Sequence, residues 1–246
     1  MPLFDLLPKA LQWRLEHLNA RRRQRVMDRL YKDKTPEQVF SHIYEKGLWG
    51  GTPEFPFFSG VGSHDEAVVT GYVQAVGKWL AGFPQPPDVV DLGCGDFNVG
   101  RQLRPLCGTY VACDVVPALV ASNGARYAGL NVDFRHLDIT AEPLPAGQVV
   151  FIRQVLQHLS NEQISRVVAK LGQFQYVVLT EHLPGNRDFQ PNLDKPTGHG
   201  IRVGRVPPSA VVLTAPPFDF RPATTRVLLE VPSEGGVVQT VVYGPA

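Results

Sequence analysis

The chain has 246 residues, 43% of them apolar, and its 24 basic and 23 acidic side chains leave a formal charge of +1. That length fits one large domain, or one domain with an extension, and the charge balance does not mark the whole chain as a partner of nucleic acid. No apolar run approaches the roughly 18 to 20 residues that cross a bilayer, and the opening MPLFDLLPKALQWRLEHL mixes acids and an early proline into its apolar part, unlike a cleaved signal peptide.

Residues 1–34 are basic, with nine Lys or Arg against four Asp or Glu. Lys9 to Tyr31 lacks Gly and Pro and predicts one or two helices. Leu7, Leu11, Leu15 and Leu18 fall on one helical face, followed by Arg21, Arg22, Arg23 and Arg25. Thr35-Pro36-Glu37-Gln38 is a helix start, with threonine as cap and proline at the first helical position. Trp49 to Ser63 is rich in glycine and carries Trp49, Phe55, Phe57 and Phe58, which suits an ordered loop better than a linker. Residues 1–66 are therefore expected to be a helical extension and cap, and 67–246 the main domain. Cys94, Cys107 and Cys113 are odd in number and lack paired metal spacing, which argues against disulfides and zinc and for a reducing cytoplasm.

Beyond the cap, helices and strands alternate. Helices are expected over 65–81, 99–107, 116–127 and 161–172. Strands are expected at 89–92, 110–114, 132–134, 148–152 and 176–180. This alternation implies a doubly wound, mostly parallel sheet with helices on both faces. Two β-rich runs, 224–231 and 236–243, flank Pro232-Ser233-Glu234-Gly235 and predict an antiparallel hairpin at one sheet edge.

The densest constellation is Val89-Val90-Asp91-Leu92-Gly93-Cys94-Gly95-Asp96-Phe97-Asn98-Val99-Gly100. A glycine pair straight after a buried strand permits a sharp turn and the close approach of a ligand. Asp114, at the end of the next strand, could accept hydrogen bonds from both ribose hydroxyls of an adenosine. Asp138, after the third strand, could accept one from an adenine amino group. A nicotinamide-binding fingerprint fits less well, because Asn98 stands where its third glycine belongs. No Gly-Lys-Ser/Thr follows, which removes a phosphate-binding P-loop.

Asp91-Leu92-Gly93-Cys94-Gly95 resembles the first motif of the class I S-adenosylmethionine-dependent methyltransferases, and Val149 to Leu159 (VVFIRQVLQHL) resembles their fourth-strand motif. The terminal hairpin is similar to the antiparallel edge of that seven-stranded fold, so the resemblance covers about residues 67–245. One departure is Phe97 at the motif's usual third glycine, with Gly100 three residues later. The resemblance implies S-adenosylmethionine as cofactor. Asp91, Gly93 and Gly95 would serve its methionine end and Asp114 its ribose. Asp138 and Ile139 would frame its adenine, and Arg153 and Gln154 would lie beside its sulfonium. His158 is expected to pack behind the site.

The acceptor should lie beyond the carboxyl ends of the strands, under the Trp49 to Ser63 loop and a long insertion from Glu181 to Phe218. His182, Glu181 and His199 are the candidate bases, and Trp49 and Arg202 the candidate acceptor contacts. No amino-methylating Asn-Pro-Pro-Tyr signature is present, which favours oxygen over nitrogen on a small-molecule acceptor. A homodimer is left open. Two other readings remain: a non-catalytic protein on the same fold, and a nucleic-acid methyltransferase using the basic N-terminus, which the absence of an RNA-binding module disfavours.

Overall fold

The computed structural model describes Arg22, Arg25, Val26 and residues 28–245. The leucine stripe at 7–18, together with Arg21 and Arg23, lies outside the described residues. The capping pattern at Thr35 forms as its chemistry requires. The Thr35 hydroxyl accepts the Gln38 N–H, Gln38 returns a bond to the Thr35 N–H, and helix α1 runs Pro36–Glu45. Asp65 caps helix α2, Glu66–Leu80, through the Val68 N–H.

Seven strands follow: β1 (Val89–Leu92), β2 (Tyr110–Asp114), β3 (Asp133–His136), β4 (Val149–Arg153), β5 (Tyr176–Pro184), β6 (Thr224–Ser233) and β7 (Gly236–Gly244). They form one sheet in the order β3-β2-β1-β4-β5-β7-β6. The first five are parallel, and β7 inserts antiparallel between β5 and β6. Pro232 is tolerated in β6 because that strand is the edge. The chain order reverses direction beside β1, so the crevice beyond β1 and β4 is the topological switch point where such sheets bind ligands.

Helices α3 (Gly100–Leu103), α4 (Pro117–Arg126) and α5 (Asn161–Val168) follow in chain order. The helix expected over 99–107 stops at Leu103 and continues as a short 3-10 turn, Arg104–Leu106, since Pro105 cannot donate to the ladder. The one expected over 161–172 ends at Val168, and the fifth strand runs four residues beyond expectation, to Pro184.

Strand alternation sorts the core onto two faces. Val90, Leu92, Val150 and Ile152 face one cluster, which α1 joins through Val39, Phe40 and Ile43 and α5 through Ile164 and Val167. Val89, Val149 and Phe151 face a second cluster filled by Val69, Tyr72, Val76 and Leu80 of α2. The cap helix α1 therefore shares the sheet's own core. Close to it, Asp28 pairs with Arg205 at 3.0 Å, and the buried Tyr31 meets His42 Nδ1 at 3.3 Å.

Residues 185–223 between β5 and β6 carry no regular element yet are pinned. The buried Asn192 accepts the Val212 N–H at 2.8 Å and donates to the carbonyls of Val212 and Pro216, each at 2.9 Å. Backbone groups without a ladder thus find side-chain partners. Among the described residues, no helix is long and apolar enough to cross a membrane.

Candidate functional site

A cavity of about 580 Å³ opens at the carboxyl ends of the parallel strands. Its floor is the glycine turn. Gly93 and Gly95 take φ of +76° and +54°, conformations that L side chains rarely adopt, and a Cβ on Gly93 would strike Val155. Phe97 also takes a left-handed φ, +61°. The sequence departure from glycine therefore keeps a glycine-like backbone. Its cost, on the order of 1 kcal/mol, is offset because the ring is fully buried edge-on against Tyr110, Tyr127 and Phe134.

Three carboxyl groups at strand ends face this cavity: Asp91, Asp114 and Asp138. Asp91 accepts the Tyr110 hydroxyl at 3.0 Å, and burial pushes its pKa up to about 7. Asp114 accepts the N–H groups of Gly95 and Val116, each at 3.1 Å, which lowers its pKa, but burial dominates and raises it to about 6. Asp138 uses one oxygen for the Thr140 N–H and hydroxyl, at 2.8 and 2.7 Å. The buried Ile139 sits beside it on the wall.

At the end of β4, Arg153 donates to the Gly62 carbonyl at 2.5 Å and the Ser63 hydroxyl at 3.3 Å, and its guanidinium lies 5.1 Å from the centre of the Tyr72 ring. Its Nε is buried without a partner. Gln154 carries a φ of +56°, an uncommon backbone state that its N–H bond to the Thr180 carbonyl (2.7 Å) helps to hold.

The roof comes from the cap. Ser59 exchanges bonds with Asp96: its N–H reaches Oδ2 at 3.1 Å, and its hydroxyl accepts the Asp96 N–H at 2.7 Å. His64 Nε2 meets the same Oδ2 at 2.5 Å, with Phe58 stacked on its ring at 4.2 Å. Tyr44 and Ser59 join hydroxyls at 2.9 Å, and Asn98 donates to the Ser63 carbonyl at 2.8 Å. Trp49 packs against Tyr44 and His158, with ring centres 5.2 and 5.1 Å apart, and donates to the His199 carbonyl at 3.3 Å. The loop is thus tied to the glycine turn at several points. Ser59→Ala should speed limited proteolysis within 50–60 several-fold, and S-adenosylhomocysteine should slow it again. Equal cleavage of variant and parent would show that the hydroxyl does not hold the loop.

The candidate bases separate in space. His182 and His199 line the cavity, each with one buried ring nitrogen lacking a partner, and burial lowers the pKa of both. Glu181, expected beside them, points away: its Oε1 accepts the Leu156 N–H at 2.9 Å, and it forms no part of the cavity wall. Alternation along β5 puts neighbours on opposite faces, so Glu181 and His182 cannot share one. Arg202, expected to contact the acceptor, is 1% exposed and donates to the carbonyls of Leu193 and Leu159 and to Asn161 Oδ1. It braces the insertion, and its charge does not reach the cavity.

His158, expected behind the site, forms part of the wall itself. Its Nδ1 contacts the Gly198 carbonyl at 3.2 Å and therefore carries the proton, while burial, reinforced by Lys195, drives its pKa down to about 3. Sequence reasoning placed Ser59 in the covering loop but missed the partners that hold it, Tyr44 and Asp96, together with His64 and the Ser233 to Gly235 hairpin tip that closes one side of the cavity.

These residues fit the implied cofactor. Glycines with positive φ leave the turn's backbone bare, strand-end carboxylates face the cavity as hydroxyl and amine acceptors, and the Arg153 Nε is a buried donor without a partner.

Residues 89–174 match the model of a methyltransferase domain. No curated protein matches the chain. Solved structures with the same fold include the N-methyltransferase NodS from Bradyrhizobium japonicum in complex with S-adenosylhomocysteine. It is 10% identical, with a TM-score of 0.58, over 84% of this chain and 98% of that one. The DhpI complex with S-adenosylhomocysteine is 17% identical, with a TM-score of 0.53, over 84% and 96%. The citrinin polyketide synthase CMeT domain is 12% identical, with a TM-score of 0.57, over 82% and 59%. With the glycine turn, the strand-end acids and the antiparallel β7 in place, residues 89–174 match a methyltransferase domain and the seven-stranded sheet around them has the fold of the class I S-adenosylmethionine-dependent methyltransferases.

Proposed function

We propose that this enzyme methylates an oxygen or nitrogen nucleophile of a small molecule. The observation that carries this reading is the cover over the cavity. The Trp49 to Ser63 loop, Ile201, Val203 and Gly204 of the insertion and the β6–β7 tip all contribute to its walls. A volume of about 580 Å³ suits a cofactor and a compact acceptor. A duplex or a folded protein would need an open groove instead. The N-methyltransferase among the structural neighbours keeps nitrogen in view, and three free cysteines suit a reducing cytoplasm.

When bound, S-adenosylmethionine supplies an electrophilic methyl group. The chain's part is to bind and align. Asp114 would accept the ribose hydroxyls, and Asp138 and Ile139 would frame the adenine. Asp91, Gly93 and Gly95 would hold the methionine end, with Arg153 and Gln154 beside the sulfonium. The bonds from Gly62 and Ser63 to Arg153 and Asn98 would keep the loop over the site and exclude water.

The test is transfer of labelled methyl from the cofactor in an extract containing metabolites, RNA, DNA and protein, fractionated by size and nuclease or protease treatment. The label should appear in the low-mass fraction. Label carried by nucleic acid or protein would overturn the small-molecule reading.

A further inference from the structure

We infer that the acceptor is an uncharged molecule methylated on a hydroxyl oxygen, with His182 receiving the hydroxyl proton. The inference rests on the methyltransferase reading above and narrows it to one class of acceptor.

The charge on the cavity wall comes first. Asp65, Asp91, Asp96, Asp114, Asp138 and Glu234 contribute carboxyl groups, and among the described residues Arg153 is the one lysine or arginine there. Arg153 is already bonded to Gly62 and Ser63. A phosphate or carboxylate on the acceptor would enter a field dominated by its own sign, with no further cation in reach.

Among the described residues, another part of the cavity wall carries no charged side chain. Trp49, Phe40 and His158 pack together, and His199 joins them through its carbonyl bond to Trp49. Burial drives the His158 pKa down to about 3 and lowers those of His182 and His199. The ionisable side chains behind this wall are turned from it. Lys195 donates to the His158 carbonyl at 3.0 Å, Arg202 to the Leu159 carbonyl at 2.8 Å, and Glu181 accepts from Leu156. None of the three lines the cavity. Asp65 and Glu234 are solvent-exposed and the buried Asp96 is already bonded to Ser59 and His64, so among the described residues an ammonium group on the acceptor would find no free buried carboxylate beyond the cofactor acids.

What the cavity does offer, on the Trp49 side at His199 and on the Arg153 side of the sheet at His182, is hydrogen-bonding capacity without charge. His182 Nε2 and His199 Nδ1 are buried and unpartnered, an arrangement that folded proteins rarely leave without a ligand to satisfy it. His182 stands on the paired part of β5, opposite Val238, two residues past the Thr180 that bonds Gln154. It is the more rigidly held of the two and the closer in register to the end of β4. As the acceptor oxygen bonds the methyl carbon, the pair from the broken S–C bond stays on sulfur and the hydroxyl proton passes to His182 Nε2. The positive charge that leaves the sulfur is thereby taken up by the imidazole, which passes the proton on to solvent.

The experiment uses the full chain and three probes of one shape: 2-naphthol, 2-naphthylamine and 2-naphthyl phosphate. Each is titrated into protein saturated with S-adenosylhomocysteine, and methylated products are measured with S-adenosylmethionine. We expect 2-naphthol to bind at least ~10-fold more tightly than the phosphate and to yield 2-methoxynaphthalene. His182→Gln and His182→Asn should keep S-adenosylhomocysteine affinity within about 2-fold while product formation falls roughly 100-fold or more, the scale of a lost proton acceptor. Binding of the phosphate as tightly as the naphthol, binding of no probe, preferred methylation of the amine, naphthol bound without methylation, or turnover retained by both variants would overturn the inference. Failure of the unmodified chain to bind S-adenosylhomocysteine would instead sink the methyltransferase reading itself.

Discussion

Asp114→Ala is expected to weaken S-adenosylhomocysteine binding by roughly 1.5 to 3 kcal/mol, a 10- to 150-fold rise in Kd. The carboxylate lines the cavity at the end of β2 and also fixes the Gly95 and Val116 N–H groups. Alanine would remove the acceptor for the ribose and loosen the turn beneath the methionine end together. Asp114→Asn keeps one acceptor oxygen and should fall between the two. Its raised pKa of about 6 adds a pH signature, with binding by the parent weaker at pH 5 than at pH 7.5 as the carboxyl takes up a proton. Calorimetry on the three proteins decides the matter, and unchanged affinity in the alanine variant would remove Asp114 from the cofactor site.

The second large effect concerns stability. Glu181 is 3% exposed, and burial pushes its carboxyl up to about 8 against the pull of Leu156 and Arg202. In the unfolded chain the same group ionises near 4.5. Between those pH values the folded protein keeps a proton that the unfolded chain has lost. Folding therefore loses about 1.4 kcal/mol per pH unit as the pH rises, roughly 5 kcal/mol in all. Glu181→Gln is permanently neutral and its amide oxygen can still accept the Leu156 N–H. The stability of the variant relative to the parent should be nearly flat below pH 4.5 and climb by several kcal/mol towards pH 9. Urea unfolding at pH 5, 7 and 9 measures this. A difference independent of pH would show that Glu181 is ionised in the folded protein throughout.

The fate of Glu181 and Arg202 shows where the sequence ceased to be informative. Both lie at or after β5, next to an insertion rich in Asn, Asp, Arg and Pro, and such a segment reads as solvated surface. What buries them is the packing of that insertion onto α5 and the preceding turn, through pairs such as Arg202 with Asn161, 41 positions apart. No local spacing encodes such a contact. The same holds for Ser59 with Asp96, 37 positions apart. The strands were legible because burial on both faces demands runs such as Val89-Val90 and Val149-Val150-Phe151-Ile152. The glycine turn was legible because positive φ and close approach leave few residue choices. Helix ends were misjudged at Leu103 and Val168, where a proline and a change to 3-10 geometry cut the helix short without disturbing its apolar spacing.

The left-handed Phe97 ties the turn to a distant part of the protein. A glycine there would hold its backbone angle at no steric cost, but a phenylalanine holds it only while Tyr110, Tyr127 and Phe134 enclose its ring. Tyr127 closes the loop by donating to the Asp96 carbonyl at 3.2 Å. Drift at Tyr127 or Phe134, neither of which lines the cavity, would then register as altered cofactor affinity. Divergent copies of this gene should exchange these four aromatic positions as a set, or restore glycine at 97 when the set is broken.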